Sequence, residues 1–111
     1  MLKVTGKTDV QTVITTFEVT PGTCGEVLEL LQDAYAQVIS RRPGFIAAAL
    51  HVNDAQTRIA NYSQWRRRED FQAMLRSEEM RERNRRITEL CRSFEPVMYE
   101  VAAVYEAPGA G

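Results

Sequence analysis

The stretch FIAAALHVNDAQTRIANYSQW, residues 45–65, decides the fold of this chain. Its first part, Phe45 to Val52, is apolar at nearly every position, which predicts a strand that is covered on both faces. The polar run Asn53-Asp54-Ala55-Gln56 is typical of a hairpin loop, and Thr57 to Trp65 follows as a second strand. The sequence therefore predicts two neighbouring antiparallel strands in the middle of the chain.

One face of the second strand carries several polar groups. Since successive side chains of a strand point to opposite faces, Asn61, Ser63 and Trp65 share one face. An amide, a hydroxyl and an indole N–H on one buried face would orient a flat, oxygenated ligand. The commoner alternative is a core tryptophan whose N–H has a partner inside the protein, with Asn61 serving the end of the strand. The residues alone leave both interpretations open.

The residues before this hairpin predict a strand and a helix. The alternation of side chains over residues 12–19 indicates a strand. Thr23 with Glu26 three residues later is a capping-box pattern for the start of a helix. The apolar stripe of this helix runs from Val27 to Val38, and the helix must end before Pro43 because proline disfavours helical geometry in the residue that precedes it.

The residues after the hairpin predict two helical pieces and a last strand. Residues 66–92 are rich in charge and have two separate apolar patches. Ser77 between the patches is a candidate N-cap, so we expect a break near Arg76-Ser77. The alternation that follows Pro96 indicates a long strand, Val97 to Tyr105. Residues 107–111 form a tail that we expect to be flexible.

This order of elements is typical of one α+β fold. Strand, helix, strand, strand, helix, strand is the split β-α-β or ferredoxin-like arrangement, a four-stranded antiparallel sheet with helices on one face. Residues 1–106 would form this single domain. Val13, Phe17 and the tyrosines of the last strand are expected on the uncovered face. A second copy packed sheet to sheet is the simplest cover, which predicts a homodimer with the architecture of a dimeric α+β barrel.

Composition argues against several classes of protein. The chain has 111 residues, 14 basic and 15 acidic, and its net charge of −1 gives no general attraction to nucleic acid or to an anionic membrane. We see neither a signal peptide nor a segment long enough to span a membrane, so we expect a cytoplasmic protein. Cys24 and Cys91 have no metal-ligand spacing and are expected to be free thiols.

The arginines near the end of the second helical region favour a solvated face over a nucleic-acid contact. Glutamates stand at helical spacing from them, so ion pairs within the helix are expected. These arginines are Arg81, Arg83, Arg85, Arg86 and Arg92.

Several residues resemble the antibiotic biosynthesis monooxygenase superfamily. The resemblance is carried by Pro43-Gly44-Phe45, the hairpin, Asn61 with Trp65 four residues later, and Phe71 on the next helix. It is closest to the small cofactor-free monooxygenases of aromatic polyketide pathways, which oxidise anthrones to quinones with O2. In those enzymes an asparagine and a tryptophan at the positions of Asn61 and Trp65 line an apolar pocket between the helices and the sheet.

This resemblance implies a set of site residues. Asn61 and Trp65 would donate hydrogen bonds to an enolate or peroxy oxygen. An arginine of the second helix would offset negative charge; Arg81, Arg83 and Arg85 are all plausible, and we take Arg85 as the candidate. The candidate substrate-binding residues are Phe71, Phe45, Tyr35, Met74 and His51.

The chain also departs from the family pattern. Some quinone-forming members have a tyrosine where this chain has Phe71, and a phenyl ring cannot replace a phenol in a hydrogen bond. The haem-degrading branch needs a histidine ligand about where this chain has Asn84, so haem degradation is not expected. The only histidine, His51, is either a surface residue near a strand end or a base for proton abstraction.

The sequence carries no recognisable cofactor or metal site. It has no GxGxxG, no P-loop and no His/carboxylate cluster, so we expect no cofactor. An anthrone-type substrate can supply the electrons itself, and the expected partners are a small aromatic substrate, O2 and a second copy of the chain. The alternatives are a non-catalytic dimeric protein that binds an aromatic metabolite or assists polyketide biosynthesis, and a cyclase or isomerase on the same fold.

Overall fold

The computed structural model describes residues 10–109, and these residues form the predicted order of strands and helices. One antiparallel sheet, with the strand order β2-β3-β1-β4, is built from β1 (Gln11–Glu18), β2 (Phe45–Val52), β3 (Arg58–Trp65) and β4 (Ser93–Tyr99). The helices are α1 (Cys24–Gln37), α2 (Arg68–Arg76) and α3 (Glu78–Leu90), with a 3₁₀ turn at Ile39–Arg41. The α+β ferredoxin-like fold is therefore confirmed.

The pairing of β1 with β3 determines which side chains lie under the helices. Val13 stands opposite Ser63 and Phe17 opposite Ile59, and Val13, Phe17 and Ile59 are buried in clusters with residues of α1, α2 and α3. The expectation that Val13 and Phe17 lie on the uncovered face is thus wrong, because alternation places both on the helix side.

The sheet side opposite the helices, called the open face below, carries a different set of large side chains. β1 and β4 pair Ile14 with Val97, and β1 and β3 pair Ile14 with Tyr62. Val97 is 36% exposed and Tyr99 47% exposed. The open face is therefore partly apolar, and it is defined here by Ile14, Tyr62, Val97 and Tyr99.

The last strand begins and ends earlier than the alternation predicts. β4 pairs only with β1, and Tyr99 already stands opposite Thr12 near the start of β1. The residues after Tyr99 therefore have no strand beside them in the described chain, and Tyr105 is 90% exposed. Pro96 is tolerated inside β4 because an edge strand needs only half of its backbone hydrogen bonds.

The strand β2 is also an edge strand, and its expected burial on both faces is wrong. Ile46 is 43% exposed and Val52 is 39% exposed. The register of β2 against β3 shifts between Phe45 and Ala47, which marks a β-bulge at the start of the strand. The predicted flexible tail, residues 107–111, and the predicted domain, residues 1–106, both extend partly beyond the described residues.

The helices start where the sequence predicts, but without the predicted side-chain caps. α1 begins after Thr23, whose hydroxyl contacts Thr20 instead of capping the helix, and Glu26 forms an ion pair with Arg86. The break between α2 and α3 lies at Ser77, as predicted. The Ser77 hydroxyl donates to the carbonyl oxygen of Met74 at 2.8 Å, so it closes α2 and does not cap α3.

The charged face of α3 is largely paired. Arg85 binds Glu82 and Glu89, while Arg83 binds Asp33 of α1 at 3.0 Å. Both cysteines are free thiols, as expected. No helix within residues 10–109 has the length and apolar character that crossing a membrane requires.

Candidate functional site

Four aromatic rings meet where β2 and β3 pass under the helices. Trp65, which is fully buried, packs edge-on against Phe45 at 5.3 Å and against Phe71 at 5.8 Å between ring centroids. Tyr35 of α1 packs against the outer side of Phe45 at 5.9 Å. The structure therefore brings together four of the residues that the resemblance implied, with Trp65 at the centre.

The Pro43-Gly44-Phe45 segment explains how Phe45 reaches Trp65. Gly44 has φ +84°, a left-handed conformation that favours glycine, and any Cβ at this position would collide with the Asp70 carboxylate. The Gly44 carbonyl oxygen also accepts a hydrogen bond from the Arg66 amide at 2.7 Å. Glycine thus lets the chain enter β2 directly beside the first turn of α2.

The Trp65 indole N–H has a partner inside the protein. It donates to the Ser63 hydroxyl oxygen at 3.2 Å, and the Ser63 hydroxyl donates to the Val13 carbonyl oxygen at 3.3 Å. Of the two interpretations of this face, the geometry supports a core tryptophan, because the indole N–H already has a partner inside the protein. Trp65 therefore shapes the site through its ring.

Asn61 is held differently. Its amide oxygen accepts a hydrogen bond from the Tyr35 hydroxyl at 2.7 Å, which joins α1 to β3 across the helix side of the sheet. Burial raises the pKa of Tyr35 to about 12, against the smaller opposite effect of its hydrogen bond with Asn61. Tyr35 is therefore a protonated donor throughout the physiological pH range.

A small cavity lies between the sheet and the α2–α3 pair, next to Asn61. Its volume is about 40 Å³, and its polar lining consists of Thr15, Asn61 and Asn84. The remaining wall is apolar and includes Phe71, Met74, Leu75 and Met80. Pockets for drug-sized ligands usually measure ~300–1,000 Å³. Binding of a polycyclic ligand here therefore requires the wall to move.

An open groove lies on the other side of Tyr35. It runs between α1 and the edge strand β2, has a volume of about 730 Å³, and is lined by Tyr35 and Phe45 among other residues. The Tyr35 ring therefore contacts the groove, and the Tyr35 hydroxyl contacts Asn61.

Two predicted site residues lie elsewhere. Arg85 is exposed on α3, where it binds Glu82 and Glu89, and Arg81 is exposed as well. His51 stands opposite Ala60 and is exposed on the sheet side that faces away from the helices. The bulge in β2 is the reason for the position of His51, because it reverses the alternation after Phe45.

Asn84 and Thr15 are the polar cavity residues that the sequence prediction missed, and Asn84 is the one on a helix. Its side-chain amide nitrogen lies 3.5 Å from the Leu75 carbonyl oxygen, and its side chain lines the cavity together with Met80 and Ile87. These three residues follow i, i+4, i+7 spacing on α3. The apolar members of this stripe were therefore a signal that Asn84 faces inward and its neighbour Arg85 does not.

No acidic or basic side chain of the described residues lines the cavity. None of the residues that line it is aspartate, glutamate, histidine, lysine or arginine. Within residues 10–109, no three His, Cys, Asp or Glu side chains are grouped to hold a metal ion. The chemistry available from the described residues is thus hydrogen bonding by two amides and a hydroxyl in a largely apolar cavity.

Comparison with known proteins agrees with this geometry. The family model described as Antibiotic biosynthesis monooxygenase matches residues 10–86. Tetracenomycin-F1 monooxygenase of Streptomyces glaucescens is 31% identical over 74 residues, which are 67% of this chain and 66% of that protein. The match therefore spans just under two thirds of the relative's length.

Solved structures share the fold at low identity. A monooxygenase from the gene ActVA-Orf6 of Streptomyces coelicolor, in complex with nanaomycin D, has a TM-score of 0.76 and 20% identity, covering 87% of this chain and 91% of that one. SnoaB, a cofactor-independent oxygenase from Streptomyces nogalater, has a TM-score of 0.75 and 18% identity, covering 86% and 96%. Given the family match over most of its length, the chain belongs to the antibiotic biosynthesis monooxygenase family.

Proposed function

We propose that this protein is a cofactor-independent monooxygenase that oxidises a polycyclic, anthrone-type phenol to a quinone with O2. The observation that carries the proposal is Asn61, a buried amide held by Tyr35 at the edge of a largely apolar cavity. Family membership and the names of the relatives support monooxygenase chemistry.

The reaction can proceed without a cofactor because the substrate supplies all the electrons. Loss of one benzylic proton gives an electron-rich enolate, which passes one electron to O2. Recombination of the resulting radical and superoxide forms a carbon–oxygen bond and, after protonation, a hydroperoxide. Loss of the second benzylic proton then breaks the O–O bond, so one oxygen atom stays as the quinone carbonyl and the other leaves as water.

The role of Asn61 in this scheme is to donate a hydrogen bond to the substrate oxygen on which the enolate charge develops. A preorganised donor in a water-poor site stabilises such charge more strongly than water does. Since the cavity wall offers no ionisable side chain in the described chain, the benzylic proton passes to water. Phe71 lines the cavity and contacts the ring system in this scheme, Trp65 packs behind Phe71, and the Trp65 N–H stays with Ser63.

The substrate enters by displacing the wall formed by α2 and α3. Met74 and Met80 lie in this wall on either side of the Ser77 break. Methionine side chains are flexible and adapt to ligands of different shape. Arg85, although implied by the resemblance, takes no part here because its guanidinium binds two glutamates on the outer face of α3.

Oxygen uptake tests the proposal directly. A dihydroxyanthrone is supplied to the purified protein, and oxygen consumption and quinone absorbance are followed above the uncatalysed rate. Asn61→Ala should lower kcat by about 100-fold or more, the usual effect of deleting one donor to developing charge. Thr88→Ala, a change on the exposed side of α3, should leave the rate unchanged.

Two other results would contradict the proposal. Tight binding of the anthrone without turnover would identify a metabolite-binding or accessory protein. Conversion to a rearranged or cyclised product without oxygen uptake would identify a cyclase or isomerase.

A further inference from the structure

Within the described residues, Tyr35 is the only side chain of α1 that hydrogen-bonds to Asn61, Ser63 or Trp65 of β3. It lies in the last turn of α1, and its ring packs against Phe45. From there its hydroxyl reaches Asn61 at 2.7 Å, the shortest of the three side-chain hydrogen bonds that these β3 residues make. The contact joins the aromatic cluster to the polar lining of the cavity.

The direction of this hydrogen bond determines what Asn61 offers to a ligand. An asparagine amide has one oxygen that accepts and one nitrogen that donates two hydrogens. Because the oxygen is occupied by Tyr35, the nitrogen is the end left for the cavity. The Asn61 side chain makes this one hydrogen bond among residues 10–109, so Tyr35 alone fixes the plane of the amide there.

Without such a partner the amide would be poorly oriented. The terminal torsion of asparagine is broad, so an unheld amide samples both its donor and its acceptor orientation toward the cavity. A donor that must reorient during the reaction loses part of its advantage over water. Burial keeps the pKa of Tyr35 at about 12, so its hydroxyl remains a donor wherever the protein is folded near neutral pH.

We propose that Tyr35 is a positioning residue: its hydroxyl holds the Asn61 oxygen so that the Asn61 N–H groups face the substrate oxygen. This inference rests on the proposed function, because it assumes that Asn61 serves as a donor. It assigns Tyr35 a role different from that of an apolar wall, which a phenylalanine would fill equally well.

Tyr35→Phe separates the two roles, because it keeps the ring and deletes the hydroxyl. For a positioning residue, kcat for a dihydroxyanthrone should fall by about threefold to tenfold, the range of one ordinary hydrogen bond, while KM changes little. In the Asn61→Ala background the same change should have almost no further effect on kcat, since the group that it positions is gone. Tyr62→Phe, on the opposite side of the same strand as Asn61, is the matched control and should leave kcat unchanged.

A second measurement does not depend on turnover. The matching dihydroxyanthraquinone, which cannot react further, is titrated against each variant by quenching of Trp65, the only tryptophan. NMR of the side-chain amides should show the Asn61 signals shifted and exchanging faster in Tyr35→Phe and unchanged in Tyr62→Phe. Tyr35→Phe should bind the quinone more weakly than the parent protein. In the Asn61→Ala background, the same change should leave quinone binding unaltered.

The outcomes distinguish the two proposals. If the parent protein consumes no oxygen, the proposed function fails, and the titration and NMR decide on Tyr35. Additive effects of Tyr35→Phe and Asn61→Ala, or a rise in KM with kcat unchanged, would mean that Tyr35 contacts the ligand itself and would overturn the positioning role. Unchanged Asn61 amide signals in Tyr35→Phe would overturn it as well.

Discussion

At the scale of single residues, the indole of Trp65 and the amide of Asn61 face the same side of β3 but have different surroundings. The Trp65 N–H is bound to Ser63 inside the core, whereas the Asn61 amide lines a cavity. Shared position on a strand therefore does not imply a shared role. Hydrogen-bond partners decide which of the two groups remains for a ligand.

We expect Trp65→Phe to act on stability and Asn61→Ala to act on catalysis. Trp65→Phe removes part of a fully buried ring and the partner of Ser63, so the free energy of unfolding should fall by roughly 1–3 kcal/mol. The value of kcat per folded molecule should change by less than about threefold, because no donor to the substrate is lost. Urea denaturation and oxygen uptake on the same samples measure both quantities.

Ser63→Ala is the matched control for this prediction. It deletes the acceptor of the indole N–H without shortening the ring, and should cost roughly 1–3 kcal/mol for the unpaired buried donor. A hundredfold loss of kcat in Trp65→Phe with unchanged stability would contradict the role of Trp65 as a core residue. It would indicate that the indole N–H donates a hydrogen bond to the substrate.

The sequence predicts most of the candidate site because strand alternation and helical spacing fix its faces. Asn61 and Trp65 share a face by alternation alone, and Phe71 with Met74 follows from i, i+3 spacing on α2. His51 was misplaced for a physical reason that alternation does not reveal. Without the bulge after Phe45, His51 would lie on the same face as Phe45; the bulge moves it to the other face.

At the scale of elements, the junction between α2 and α3 forms one side of the cavity. A single residue, Ser77, separates the two helices, and its backbone is extended. Met74 and Leu75 before the junction and Met80 after it all line the cavity. The wall that must move for a large ligand is therefore built around the Ser77 break.

We expect Ser77→Ala to destabilise the protein by about 0.5–1.5 kcal/mol, the net value of one hydrogen bond. The bond lost runs from the half-buried Ser77 hydroxyl to the Met74 carbonyl oxygen at 2.8 Å. Thr88→Ala is the control, since the Thr88 hydroxyl also donates to a carbonyl oxygen, that of Asn84, but on an exposed helix face. Alanine has the higher helix propensity, so Thr88→Ala should be neutral or slightly stabilising.

Urea denaturation of both variants decides the point. Equal losses of stability would mean that the effect comes from removing any helix hydroxyl, and the special role of the junction would be contradicted. A change in the slope of unfolding for Ser77→Ala alone would instead indicate that the junction alters the compactness of one of the two states.

At the scale of the whole molecule, element order was predictable and element ends were not. Periodicity in residues 45–65 and in α1 follows from local sequence, whereas the end of β4 depends on where β1 begins. The burial of β2 likewise depends on its place at the sheet edge, which the order of elements suggests only after the fold is assigned.

The open face leads to the last prediction, a homodimer. Ile14, Tyr62, Val97 and Tyr99 form a partly apolar surface on an antiparallel sheet whose other side is packed under helices. A second copy of the chain would cover such a face with one self-complementary contact about a twofold axis, and a stable interface buries roughly 1,000 Å² or more. Light scattering at micromolar concentration should give twice the chain mass of 12.6 kDa.

Two lysine substitutions make this prediction specific to one face. Val97→Lys places a charge on the open face and should shift the protein toward monomer, because an interface core disfavours an unpaired charge. Val52→Lys is the matched control: Val52 has similar exposure, 39% against 36%, but it stands opposite Ile59 and so lies on the helix side of the sheet. The Val52→Lys protein should remain a dimer. A monomeric parent protein, or equal dissociation by both substitutions, would show that the open face is not the interface.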